Sequence, residues 1–124
     1  MNRYEQAVAY HHKGFNCCQS VLVSFAADLG LTEEQAFALG SNFGAGMRMG
    51  SACGALTGAL MALGLMGCDE KKAIELLRRF RADHGATDCA VLLRASKDRG
   101  EEKKAHCDGL VYEMVQAVEE LAEK

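Results

Sequence analysis

Near the end of the chain apolar residues recur at steps of three and four: Cys107, Leu110, Val111, Met114, Val118 and Leu121. This is one face of an α-helix, predicted from near Glu101 to Ala122. Ala73, Ile74, Leu77 and Phe80 form a shorter stripe of the same kind, on a helix opened by Asp69 or Glu70. Caps and stops punctuate the upstream chain. A first helix runs from about Asn2 to Lys13 and stops at Gly14. Asn16 caps a second over Cys17 to Leu29, which Gly30 closes. Thr32 and Gln35 form a capping box for a short helix ending at Gly40. Asp88 caps another short helix that holds Cys89, Leu92 and Leu93.

The middle of the chain has a different pattern. Ser41 to Gly50 is a glycine-rich loop, and no charge falls between Met49 and Cys68. Gly54, Gly58, Gly64, Ser51 and Thr57 dilute the apolar content there. A buried helix over Ala52 to Met66, capped by Ser51, fits better than a membrane span. Strand-like alternation is absent. The expected fold is all-α: a compact bundle of about five to six helices around a buried glycine/alanine-rich central helix.

Composition narrows the picture. The chain has 124 residues, without a linker or repeat, so residues 1–124 read as a single domain. Seven charged side chains fall in residues 1–68 and the other twenty-four follow, which suits amphipathic helices packed around an apolar first half. Net charge is −3, so no basic footprint points to nucleic acid. The opening Met-Asn-Arg-Tyr-Glu-Gln carries no secretory pattern. The expected compartment is therefore a reducing cytoplasm, where cysteines serve as catalytic thiols or metal ligands more often than as structural bridges.

Six cysteines make that point matter. Cys17, Cys53 and Cys89 all fall where the chain should enter a helix. A thiol there meets free backbone N–H groups and the positive dipole end, which lower its pKa. Arg48 is the one basic residue in the loop before Cys53. No Cys-x-x-Cys occurs, so any centre must be assembled from distant segments. Gly54 and Gly58 share a helical face on which a second helix, or a second copy of the chain, can approach closely. The loop's exit at Arg48, Gly50 and Ser51 offers an anion or cofactor site at a helix start. His106 precedes Cys107 and is a candidate base or extra ligand; His84 reads as structural.

Residues 51–64, Ser-Ala-Cys-Gly-Ala-Leu-Thr-Gly-Ala-Leu-Met-Ala-Leu-Gly, resemble the signature of the C-GCAxxG-C-C family of redox-active proteins. Gly14-Phe-Asn-Cys-Cys-Gln-Ser-Val-Leu resembles its first cysteine segment, and Phe43-Gly-Ala-Gly-Met-Arg-Met-Gly its glycine-rich run. The resemblance implies a helical fold, four motif cysteines at Cys17, Cys53, Cys89 and Cys107, and a redox role named from those cysteines rather than from an established reaction. It also selects Cys17 over its neighbour Cys18, and leaves Cys68 as a bystander. Two chemistries suit four such cysteines. In one, Cys53 attacks an oxidised partner protein or small disulfide and a second cysteine resolves the mixed disulfide. In the other, the four thiolates hold an iron–sulfur cluster or zinc. A homodimer packed through Gly54 and Gly58, with the cysteines as core filler, is the non-catalytic expectation.

Overall fold

The computed structural model describes residues 1–123. Among them are seven α-helices: α1 (Arg3–His12), α2 (Cys17–Val23), α3 (Glu33–Gly40), α4 (Gly54–Leu65), α5 (Glu70–His84), α6 (Cys89–Asp98) and α7 (Lys103–Glu123). The described residues contain no strand, and the fold is all-α. Asn2, Asn16 and Thr32 each close a full capping box, with Glu5, Gln19 and Gln35 returning the bond. Asp69 accepts from the Lys71 and Lys72 backbone N–H groups and starts α5.

Two boundaries and one cap differ from the sequence expectation, each for a local reason. α2 ends at Val23, not Leu29, because the Ser24 hydroxyl takes the Val21 carbonyl. The chain then tightens into a 3₁₀ turn over Ala27–Leu29 before left-handed Gly30. Ser51 does not cap α4, and Asp88 occupies the cap position of α6 without a side-chain bond. Both are drawn instead into a two-residue antiparallel bridge, Ala52 against Asp88. Cys53 N–H donates to the Thr87 carbonyl at 2.9 Å and Cys89 N–H to the Ser51 carbonyl at 2.6 Å. On α5 the buried positions are Leu76 and Phe80, whereas Ile74 is exposed.

The core gathers Phe25, Leu56, Leu63, Leu76, Phe80 and Met114 from α2's end, α4, α5 and α7. α4 packs against α2, α5 and α7, and its last turn opens to solvent at Gly64 and Leu65. The α2–α4 contact is very close. A Cβ at Gly58 would stand 2.8 Å from the Cys18 carbonyl oxygen and 3.1 Å from Val21 Cβ; one at Gly54 would stand 2.9 Å from the Phe43 carbonyl. The glycine face is thus occupied by α2 of the same chain, so it is not available to a second copy.

Candidate functional site

Close packing through Gly54 and Gly58 aligns the starts of α2 and α4, which carry Cys17 and Cys53. The 52–88 bridge fixes the start of α6, with Cys89, beside them. α7 crosses the same end and contributes Cys107. A cavity of about 190 Å³ forms there, lined by all four of these cysteines and by His11, Lys103 and His106 among others. Cys18 faces the opposite way: it is fully buried, with its sulfur 3.8 Å from Met61 Sδ. Cys68 packs at the edge of the core. All six cysteines are free thiols.

The four cavity cysteines are not equivalent. Cys17 and Cys107 line the same cavity, and the two thiols shift each other's titration in opposite senses. The neighbouring Cys17 thiol pulls Cys107 from 9.0 down to about 7, with Lys103 helping against the effect of burial. Cys17 is held far above its ordinary value by Cys107 and by burial. Lys103 lies one helical turn before Cys107 on α7, the i, i+4 spacing that places two side chains on one face.

Cys53 corrects the expectation that it is the low-pKa thiol. The backbone N–H groups of Leu56 and Ala55 do stabilise its thiolate, as its place at a helix start requires. Burial outweighs them and pushes the thiol up to about 11. Cys89, half-buried, is also raised by burial, with Lys103 opposing.

Behind Cys17 stands a pair of residues absent from the sequence-derived site. His11 Nε2 is 3.7 Å from Cys17 Sγ, and His11 Nδ1 is 2.5 Å from Asp108 Oδ1. The other Asp108 oxygen takes His12 Nε2 at 2.6 Å. Burial tends to raise the Asp108 carboxyl, but the bonds from His11 and His12 prevail and hold it below its ordinary range. An ionised carboxylate on Nδ1 fixes the ring and leaves Nε2 facing the sulfur, the arrangement of a base oriented by a third group. The sequence signal was thin. Asp108 adjoins Cys107 and His11 precedes Cys17 by six residues, but only the packing of α1 on α7 joins them.

Arg48, Gly50 and Ser51 do not line the cavity. Arg48 is exposed and points its guanidinium at the Ser41 carbonyl. Gly50 abuts Ala90, and Ser51 bonds through its backbone to Gly46 and Cys89. Their loop leads into the Ala52–Asp88 bridge, which ties it to the start of α6. Among the described residues, no three His, Cys, Asp or Glu side chains converge in metal-ligating geometry. No described helix is long and apolar enough to cross a membrane.

No curated protein and no solved structure matches the chain significantly. A family model does, over residues 15–121, and its description is "Putative redox-active protein (C_GCAxxG_C_C)". The match spans α2 to α7 and includes every cavity cysteine. By this match the chain belongs to the C_GCAxxG_C_C family.

Proposed function

We propose that the protein is a thiol–disulfide redox protein whose working pair is Cys107 and Cys17. The observation that carries this reading is the convergence of Cys17 and Cys107 on one cavity, with His11 Nε2 3.7 Å from Cys17 Sγ, Asp108 behind that ring, and Lys103 one turn before Cys107. A thiol near pKa 7 is substantially ionised at neutral pH while keeping good nucleophilicity, the optimum for exchange.

The reaction follows from the order of the groups. The Cys107 thiolate attacks one sulfur of a disulfide R–S–S–R′; a new Sγ–S bond forms to give the mixed disulfide Cys107–Sγ–S–R, the original S–S bond breaks, and R′–S⁻ leaves. Cys17 still carries its proton at that point. It gives the proton to His11 Nε2, and its own thiolate attacks Cys107 Sγ. The Cys17–Cys107 bond forms as R–S⁻ departs with the proton held by His11, and R′–S⁻ takes its proton from water. Two electrons pass from the cysteine pair to the disulfide. Asp108 orients His11 throughout and stabilises the imidazolium formed between the two attacks. Cys53 stays protonated and flanks the pair.

Mixing the reduced protein with 2-hydroxyethyl disulfide, quenching with acid and mapping the peptides tests the assignment. A mixed disulfide at Cys107 followed by a Cys17–Cys107 linkage is expected, and in Cys17→Ser the mixed disulfide should accumulate. First linkage at Cys53, or a rate equal to that of an unstructured thiol, would overturn it.

A further inference from the structure

Cys107 borders a second space besides the four-cysteine cavity. With His11, Glu102, Lys103 and Lys104 it lines a groove of about 420 Å³ on the outer surface, a size in the range of small-molecule sites. Cys107, His11 and Lys103 line both spaces, whereas Glu102 and Lys104 line the groove alone. The nucleophile of the exchange reaction thus stands where the two meet.

The charges along the groove are of both signs. Lys103 acts on the thiols, favouring the ionised forms of Cys107 and Cys89. Glu102 and Lys104 are exposed, and neither side chain has a hydrogen-bond or ion-pair partner among the described residues. They do not pair with each other, being two residues apart, a spacing at which side chains of a helix do not face one another. Lys104 lies one turn of α7 before Cys107, on the same helix face. The groove therefore offers one uncommitted carboxylate and one uncommitted ammonium beside the reactive sulfur. A purely anionic arm would meet Glu102, and a purely cationic arm would meet Lys103 and Lys104. An arm that carries one charge of each sign answers both. An α-amino acid has both on one carbon.

We propose that the groove binds an amino-acid disulfide of the cystine type, with its α-carboxylate on Lys104, its α-ammonium on Glu102 and the sulfur of that arm against Cys107. The inference rests on the exchange reading above and adds the substrate class. The half held in the groove becomes the mixed disulfide on Cys107, and the other half leaves as a thiolate that takes its proton from water. Attack by Cys17 then frees the first half, which takes the proton held by His11. One disulfide becomes two amino-acid thiols, and the two electrons come from Cys17 and Cys107.

A matched set of disulfides provides the test. N,N′-diacetylcystine lacks the ammonium of cystine, cystamine lacks its carboxylate, and glutathione disulfide has its cysteine α-groups tied up in amide bonds. The second-order rate of Cys17–Cys107 disulfide formation is measured with each at neutral pH and divided by that reagent's rate with dithiothreitol. Corrected in this way, cystine should react about threefold faster than each of the others, the scale of an exposed ion pair. Glu102→Gln should erase the advantage over N,N′-diacetylcystine and keep that over cystamine. Lys104→Gln should do the reverse. This crossover distinguishes recognition of two groups from a general change in charge or reactivity. A cystine rate no greater than those of the other reagents would overturn the inference, as would variants that lower both advantages alike. Failure of every reagent to link Cys17 to Cys107 would instead refute the exchange reading itself, so the two failures are distinct.

Discussion

Cys107 and Cys53 show how one rule gives opposite results in two settings. Both thiols have neighbours that favour the thiolate, yet one falls to about 7 and the other rises to about 11. The difference is solvent: Cys53 is 4% exposed, and desolvation exceeds the help of two backbone N–H groups. Iodoacetamide alkylation of Cys107 should therefore follow a titration midpoint near 7. Cys17→Ala should move that midpoint up towards 9, and Lys103→Met should move it in the same direction by less. A midpoint unmoved by Cys17→Ala would show that Cys17 does not act on Cys107. Cys53 and Cys18, both raised from 9.0 to about 11 by burial, link to stability with a definite sign. The folded state holds their protons more tightly than the unfolded chain. The stabilisation is fully present below pH 9 and is lost as pH rises through 11. Each can contribute up to about 2 kcal/mol, so urea midpoints should fall between pH 9 and 11. The fall should be shallower in Cys18→Ala/Cys53→Ala. An identical slope in that variant would refute the linkage.

Helix by helix, the sequence was informative wherever the controlling interaction is local. The capping boxes at Asn2, Asn16 and Thr32 formed because each needs only its own residue and the one three positions on. The start of α4 was misassigned, and Asp88 lacks its cap bond at the correctly placed start of α6, for the opposite reason. Ser51 and Asp88 are good caps in isolation, but their segments pair with each other across thirty-seven residues of chain, and that pairing takes the backbone groups a cap would serve. Glycine spacing identified a close helix contact, and only the fold could show that α2 fills it. Two alanine substitutions separate these roles. Gly58→Ala drives a Cβ into the Cys18 carbonyl at 2.8 Å and should cost about 2 kcal/mol or more as α2 and α4 move apart. It should also slow Cys17–Cys107 oxidation. Gly64→Ala meets nothing within 4 Å and should stabilise by about 0.5–1 kcal/mol through helix propensity. Thermal unfolding distinguishes them. In the loop before Cys53, Ala45, Met47 and Arg48 all have positive φ, at 53°, 58° and 62°. Each such residue carries about 1–2 kcal/mol of strain, so Arg48→Gly should raise stability modestly, with no loss of cysteine chemistry.

Across the whole molecule, the site is a product of connectivity more than of any motif. Four cysteines in chain order were legible, and so was the absence of a local metal-binding pair. The division of labour among them was not, because it depends on Lys103, His11 and Asp108 arriving from α1 and α7, at opposite ends of the chain. Those two helices pack together and are further tied by Arg3, which bonds Glu119 at 2.7 Å and lies over the Phe25 ring. Cys17 and Cys107 consequently enclose most of the sequence between them. Joining them removes loop-closure entropy from the unfolded chain, which for a loop of this length amounts to about 4.6 kcal/mol if the native geometry is unstrained. The oxidised protein should therefore unfold at a higher denaturant concentration than the reduced one. That increment must also appear in the redox equilibrium, because a bond that stabilises the fold is itself stabilised by the fold. Asp108→Asn discriminates this thermodynamic effect from the catalytic one. It should slow formation of the linkage by loosening His11, while the stability gap between oxidised and reduced forms stays nearly unchanged. Paired urea titrations and stopped-flow oxidation of that variant measure both quantities. A rate that matched wild type would remove His11 from the proton path, whereas a collapsed stability gap would mean that Asp108 acts on the fold rather than on the reaction.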